Sequence, residues 1–149
     1  MLFLSSQLKG VPLSPQEELV NFRLGFLFMD ARLREGVRLF NAGRYFASHE
    51  SLEDFYYRAE EENKPFLEGL IQLAAACRLF VDFGEAQGPV RMVRQAMIRL
   101  ENYQPGYLGI RVKRLIQAME EWADQVEADS GAVRREIPKI LLHRFFFFR

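Results

Sequence analysis

Residues 36–57, GVRLFNAGRYFASHESLEDFYY, decide the fold of this chain. Apolar side chains recur at helical spacing on both sides of Gly43, which predicts two helices joined by a turn at that glycine. Glycine suits the left-handed backbone conformation that often ends a helix, so we expect a positive φ at Gly43. The stretch therefore predicts a helical hairpin at the centre of the molecule.

The second helix of this hairpin carries His49, Glu50 and Glu53 in an HE-x-x-E arrangement. At about 100° per residue, His49 and Glu53 lie one turn apart within a broad apolar arc, and Glu50 lies at its edge. The other members of the arc are Tyr45, Phe46, Leu52, Phe55, Tyr56, Tyr57 and Ala59. Because burying one ionisable group alone costs free energy, both His49 and Glu53 are expected to have polar partners. The pattern predicts a polar site at this pair.

The composition is that of a globular protein. The chain has 149 residues, of which 49% are apolar and 27% are charged, and this length suits a single domain over residues 1–149. The formal net charge is zero, so no overall field attracts nucleic acid or a membrane surface.

Cysteine content and apolar runs bear on the location of the protein. The single Cys77 excludes an internal disulfide framework and a four-cysteine zinc site, and its apolar neighbours favour a buried side chain over a reactive thiol. Residues 1–13 are expected to form an irregular leader, too short and lacking the basic start of a signal peptide. No run approaches the roughly 20 apolar residues of a membrane span. We therefore expect a cytoplasmic protein without a membrane partner.

The rest of the chain predicts further helices and no convincing strand. A helical segment is predicted to begin at Ser14, which can form a capping box with Glu17, and Pro15 suits the first helical position. Asp30 can cap the next helix. The five main helices are predicted over residues 31–42, 44–59, 65–83, 88–102 and 111–128. The fold class is therefore all-α, a compact bundle of about five helices around the central hairpin.

The C-terminal extension, residues 130–149, is unusually apolar. It contains IPKILL at residues 137–142, which is ambiguous between helix and strand, and four consecutive phenylalanines at residues 145–148. Left in water, such a segment would promote aggregation. It is expected either to fold back across a groove of its own chain or to pack against a second copy in a homodimer.

Two motifs resemble a known family. They are FN-x-G-x-Y-x-x-x-HE-x-LE at residues 40–53 and GLIQ at residues 69–72. Together they resemble the small helical family known as the domain of unknown function numbered 309, over roughly residues 31–116. The resemblance implies a compact helical bundle and no established reaction. By this resemblance, the family's characteristic polar positions are His49, Glu50, Glu53 and Gln72.

This chain departs from the family pattern at two places. The tryptophan usual after LED is replaced around Tyr56, and Leu79 or Phe80 stands where a histidine is often found late in the GLIQ helix. If that histidine binds a ligand or metal in other members of the family, this chain lacks that contact.

Several interpretations of the polar site stay open. We favour a binding or interaction module in which His49, Glu53 and Gln72 form a structural hydrogen-bonded network between helices. The candidates for ligand binding are Asn41, Tyr45, His49, Glu53, Tyr56 and Gln72. The alternative is a small hydrolase-like enzyme, either metal-assisted or acid/base, whose catalytic candidates are His49, Glu50 and Glu53.

The metal hypothesis rests on His49 and Glu53, which at i and i+4 can face one ion. A zinc hydrolase motif needs a second histidine where Glu53 stands, and the only other histidine is His143. We therefore favour no cofactor, and a divalent metal remains the alternative.

A basic face offers a different class of function. Six cations of residues 91–114 oppose the single acid Glu101: Arg91, Arg94, Arg99, Arg111, Lys113 and Arg114. Such a face can meet the phosphates of RNA or DNA. Acidic residues follow at once and no nucleic-acid motif is present, so nucleic-acid binding is only the weaker alternative.

Overall fold

The computed structural model describes residues 14–17, 19, 29–129 and 135–143. Its α-helices are α1 Ala31–Asn41, α2 Tyr45–Arg58, α3 Lys64–Phe83, α4 Gln87–Leu100 and α5 Val112–Ala128. Short 3-10 turns, Glu61–Asn63 and Glu101–Tyr103, precede α3 and follow α4. Within these ranges extended pairing is limited to isolated bridges, so the predicted all-α bundle is confirmed. No helix there is long and apolar enough to cross a membrane.

The ends of α1 follow from local chemistry. Asp30 caps the helix, because its Oδ1 accepts a hydrogen bond of 2.8 Å from the backbone N–H of Arg32. At the other end Gly43 has a φ of 78°, and the N–H of Arg44 donates to the carbonyl of Leu39 at 2.9 Å. The predicted hairpin and its glycine turn are confirmed.

The two hairpin helices approach each other closely at Gly36. A Cβ placed there would lie 2.6 Å from Cδ2 of Leu52, so a larger residue would force the buried Leu52 side chain to shift. Ser48 is fully buried at the same crossing, and its Oγ donates to the Gly36 carbonyl at 2.7 Å. This buried hydroxyl fixes the register of α1 on α2, a role that the sequence pattern did not reveal.

The buried face of α2 is narrower than the predicted arc. Its buried residues are Ser48, Leu52 and Phe55, at i, i+4 and i+7, whereas Phe46 is 46% exposed and Tyr57 is 70% exposed. Among the described helices, α2 packs mainly against α1 and α3. The apolar arc of α2 is therefore only partly buried, because helical spacing assigns side chains to a face but does not supply a partner for that face.

The central helix of the bundle is α3, as its nearly continuous apolar sequence predicts. It packs against α2 on one side and α4 on the other, and α4 packs in turn against α5. Eight of its residues are buried: Phe66, Leu67, Gly69, Leu70, Leu73, Ala74, Ala76 and Cys77. The candidate site described below lies where α2 and α4 flank α3.

Residues 135–143 form an extended segment that runs beside α5. The Arg135 guanidinium bonds the Asp129 carboxylate at the end of α5, and the N–H of His143 donates to the Gly109 carbonyl, before its start, at 2.9 Å. The segment therefore runs antiparallel to α5. Ile137 and Ile140 are buried, 8% and 2% exposed, so this part of the extension folds back on its own chain. Residues 1–13 and the four phenylalanines lie outside the described residues.

Candidate functional site

An open cleft between α2, α3 and α4 contains the predicted polar pair. Its volume is about 370 Å³, and we call it the His49 cleft. The residues that line it are His49, Glu53, Tyr56, Tyr57, Glu68, Ile71, Gln72, Ala75 and Arg99. Four of the predicted site residues therefore come together here: His49, Glu53, Tyr56 and Gln72.

The His49 and Glu53 side chains are neighbours but are not closely bonded. Nδ1 of His49 lies 3.8 Å from Oε2 of Glu53, which is longer than a hydrogen bond. The two side chains are 29% and 44% exposed, so both can be reached from solvent. This pair is held by helical spacing, one turn apart on α2, and leaves polar atoms of both residues available.

Gln72 has a different partner from the one expected. Its Nε2 donates to Oε1 of Gln95 on α4 at 3.0 Å, and no hydrogen bond joins it to His49 or Glu53 among the described residues. Its Oε1 is buried and has no hydrogen-bond partner in the described ranges. The structural network predicted from His49, Glu53 and Gln72 is therefore not formed, because Gln95, which the sequence pattern did not single out, lies nearer to the amide.

The second carboxylate of the cleft, Glu68, is fully partnered. Its Oε1 accepts from the Tyr56 hydroxyl at 3.0 Å, and its Oε2 accepts from the Arg99 guanidinium at 2.8 Å. The hydrogen bond to Glu68 raises the pKa of Tyr56 above its ordinary value. Glu68 lies one turn before Gln72 on α3, so its spacing could have predicted it, whereas Arg99 on α4 gives no local signal.

The electrostatic balance of the cleft follows from these contacts. Arg99 neutralises Glu68, whereas no lysine or arginine in the described part of the chain pairs with Glu53. From the described residues, Glu53 accepts one long hydrogen bond, 3.4 Å, which the Tyr57 hydroxyl donates. The rings of Tyr56 and Tyr57 stand edge to face with centroids 5.6 Å apart at the same place. The cleft thus offers acceptors and aromatic rings to a ligand that carries donors.

Two other predicted ligand-binding residues, Asn41 and Tyr45, lie elsewhere. Asn41 contacts the extended segment: its Nδ2 donates to the Ile140 carbonyl at 2.8 Å, and its Oδ1 accepts from the Ile140 N–H at 2.7 Å. Tyr45 packs edge-on against Phe40, and burial, with the nearby Glu136 charge adding to it, raises the pKa of its hydroxyl. We call the surface that holds residues 135–143 the tail groove.

The third catalytic candidate, Glu50, does not line the His49 cleft. Its side chain is exposed on α2. Because Glu50 follows His49 directly, it points about 100° away from His49 around the helix and so does not face the cleft. A joint role of His49, Glu50 and Glu53 is therefore not supported by their placement, although Glu50 remains a surface residue of the same helix.

Metal binding can be judged from the available donors. The described part of the chain contains no group of three or more His, Cys, Asp or Glu side chains placed to hold a metal ion. His49 and Glu53 supply two donors, and the other carboxylate of the cleft, Glu68, is held by Arg99 and Tyr56. A metal at this pair would need its remaining ligands from water or substrate, and it stays a prediction.

The basic side chains of residues 91–114 do not form one continuous face. Arg94 pairs with Asp124 and Glu127 at 2.8 and 3.1 Å, and Arg99 pairs with Glu68. Arg94, in the middle of α4, meets the last turns of α5, so Arg91, one turn earlier on α4, lies away from the cations at the start of α5. Nucleic-acid binding stays an untested prediction, and two of its six cations already pair with carboxylates of the protein.

Comparison with known proteins identifies a family over part of the chain. Residues 33–92 match the family described as Domain of unknown function (DUF309). The matched region contains most of α1, all of α2 and α3, and the start of α4, so it includes every residue lining the His49 cleft except Arg99. A search of curated proteins finds no match. The family resemblance inferred from the two motifs is confirmed over these residues.

Proposed function

We propose that this protein is a binding module whose His49 cleft takes a small organic cation with N–H donors. One observation carries the proposal: Glu53 is a reachable carboxylate that no lysine or arginine of the described residues pairs with, whereas Glu68, the other carboxylate of the cleft, is already paired with Arg99. A positively charged ligand supplies the partner that Glu53 lacks, and its N–H groups suit a carboxylate.

The rest of the cleft fits the same chemistry. The exposed ring of Tyr57 offers a π-face to a cation, worth about 0.5–1 kcal/mol at exposed sites, whereas the neighbouring ring of Tyr56 already lies 5.4 Å from Nζ of Lys64. The unpartnered Oε1 of Gln72 can accept a further hydrogen bond if the amide turns toward the ligand. A volume of about 370 Å³ suits a molecule at the small end of ordinary ligands.

Calorimetric titration with agmatine, which carries a guanidinium and an ammonium group, tests the proposal. We expect saturable binding that weakens about tenfold or more in Glu53→Gln, since a charged hydrogen bond contributes roughly 1.5–3 kcal/mol. The matched control is Asp54→Asn, because Asp54 is exposed beside Glu53, pairs with Arg58 and does not line the cleft. Equal binding of succinate, or binding unchanged by Glu53→Gln, would contradict the proposal.

A hydrolase-like enzyme is the second candidate, because an imidazole and a carboxylate share one solvent-open cleft. Their separation of 3.8 Å can shorten when a ligand excludes water, and Glu53 would then orient His49 as a general base. Metal analysis of untagged protein separates the metal-assisted form. A stoichiometric amount of Zn, Fe or Mn that is lost in His49→Ala supports it, and a metal content unchanged by that substitution argues against it.

We also propose a cytoplasmic setting. Its support is the single cysteine, Cys77, which is buried on α3 and whose thiol pKa is raised by that burial, so the chain makes no disulfide of its own. Fractionation of cells that express the natural chain tests this, and recovery of the protein outside the cytosolic fraction would contradict it.

A further inference from the structure

Arg99 gives the His49 cleft a second kind of binding group. Of the described residues that line the cleft, Arg99 alone lies on α4, and its side chain is 49% exposed. Its Nη1 donates to Oε2 of Glu68 at 2.8 Å, and no other acceptor among the described residues bonds its guanidinium. Because a guanidinium carries five N–H donors, most of these donors stay available to a ligand. The cleft therefore combines an open carboxylate, Glu53, with an arginine that can bind an anion.

The packing of α4 on α3 holds Arg99 at this edge of the cleft. A Cβ at Gly69 would lie 2.7 Å from Cδ2 of Leu100 and 3.4 Å from Cβ of Arg99, so the two helices approach closely here. Leu100 is fully buried, which fixes the turn of α4 that carries Arg99. The Glu68 carboxylate that orients the guanidinium also accepts from the Tyr56 hydroxyl at 3.0 Å. The guanidinium is thus positioned before a ligand binds, which lowers the cost of binding.

The charges of the cleft define the ligand more closely. With His49 neutral, the lining carries the carboxylates of Glu53 and Glu68 and the guanidinium of Arg99, which leave one net negative charge. A ligand with one net positive charge balances this lining. The planar fork of an arginine matches the two oxygens of a carboxylate. Since Glu53 and Arg99 line one cleft of about 370 Å³, a single small molecule can contact both.

We propose that the His49 cleft takes a basic amino acid, or a molecule with the same charges, whose carboxylate is bound by Arg99. This inference rests on the proposed function, in which Glu53 binds the cationic group of the ligand, and it adds the group that the α4 side of the cleft recognises. A diamine lacks the carboxylate and leaves the free N–H donors of Arg99 to water. A dicarboxylate brings a like charge to Glu53 and is disfavoured.

Calorimetric titration of the full chain with agmatine, arginine and argininamide tests the inference. The three molecules share a guanidinium and an amine; arginine adds a carboxylate to agmatine, and argininamide adds an uncharged amide in the same place. We expect arginine to bind about fivefold or more tightly than argininamide, because its carboxylate accepts charge-assisted hydrogen bonds. This preference should disappear in Arg99→Met. It should remain in Arg91→Met, because Arg91 is exposed on α4 and does not line the cleft.

The outcomes separate this inference from the function on which it rests. If agmatine binds in a way that depends on Glu53, while arginine binds no more tightly than argininamide, the proposed function is supported and the inference is overturned. A preference for arginine that persists in Arg99→Met also overturns it, because another group then binds the carboxylate. If none of the three molecules binds, the proposed function fails and the inference fails with it. The comparison of ligands on the unsubstituted chain needs no variant, so it decides even where Arg99→Met folds poorly.

Discussion

The tail groove and the His49 cleft use polar residues of one motif in opposite ways. Asn41 in the groove has both of its polar atoms bonded, at 2.7 and 2.8 Å, whereas His49 and Glu53 in the cleft stay 3.8 Å apart and open to solvent. A polar side chain whose bonds are all made within the protein contributes to stability. One whose bonds are incomplete is available to a ligand, and this is the lesson of the comparison.

Position on the hairpin explains the difference. Asn41 ends α1 on the side that receives residues 135–143, and the extended segment brings an unpaired backbone N–H and carbonyl to it. His49 and Glu53 face outward from α2 between α3 and α4, where the nearest polar groups already pair with one another. We expect substitutions in the groove to lower stability, and substitutions in the cleft to change binding.

Among these variants, Ile140→Ala is expected to lower the free energy of unfolding most, and it is therefore the strongest test of the contrast between the tail groove and the His49 cleft. Ile140 is 2% exposed, and removing a buried isoleucine to alanine costs about 2–5 kcal/mol. Denaturant titration of the full chain measures the change in the free energy of unfolding. The control is Leu141→Ala, because Leu141 is 43% exposed and should change stability by less than about 0.5 kcal/mol. Equal losses would show that the segment is not anchored as described.

Asn41→Ala is expected to have the next largest effect. It leaves the N–H and carbonyl of Ile140 without their partner, at a cost of about 1–3 kcal/mol. Asn102→Ala is the matched control, since Asn102 is exposed on the 3-10 turn after α4. Thermal or denaturant melts of both variants give the comparison. An Asn41→Ala chain as stable as the control would move Asn41 back among the residues free to bind a ligand.

Local features of the fold could be predicted because their causes lie within a few residues. The cap at Asp30 and the turn at Gly43 depend on side chains and backbone angles close in sequence. The capping box at Ser14 and Glu17 is likewise formed, with hydrogen bonds of 2.9 and 3.2 Å. The apolar run of α3 identified the central helix, since a helix that is apolar nearly all round must be covered on several sides.

The partners of the polar residues could not be predicted in the same way. Asn41 and Ile140 are 99 residues apart, and Glu68 and Arg99 are 31 apart, so no local spacing connects them. The helical period correctly put His49 and Glu53 together but could not tell a closed interface from an open cleft. That distinction depends on which helices cover α2, and only the packing of the whole bundle decides it.

Gly43→Val tests the turn that separates the two regions. With φ at 78° and no atom within 4 Å of an added Cβ, the cost is conformational and amounts to about 1 kcal/mol or more. The control is Ala42→Val, because Ala42 has an ordinary φ of −85° and is exposed. We expect the melting temperature to fall for Gly43→Val and to stay nearly constant for Ala42→Val. Equal melting curves would show that the positive φ of Gly43 is not needed for the turn after α1.

The smallest effect on stability is expected for Glu53→Ala, and this small effect is itself informative. Glu53 is 44% exposed, lies 3.8 Å from His49 and accepts one long hydrogen bond, so its removal should change the free energy of unfolding by less than about 0.5 kcal/mol. Glu68→Ala is the contrasting variant, because it leaves the Tyr56 hydroxyl and the Arg99 guanidinium without their shared acceptor. Denaturant titration of both variants separates them. If Glu53→Ala lowers the free energy of unfolding by more than about 1 kcal/mol, Glu53 is a structural group like Asn41. That result would contradict the proposal that the His49 cleft binds a cation.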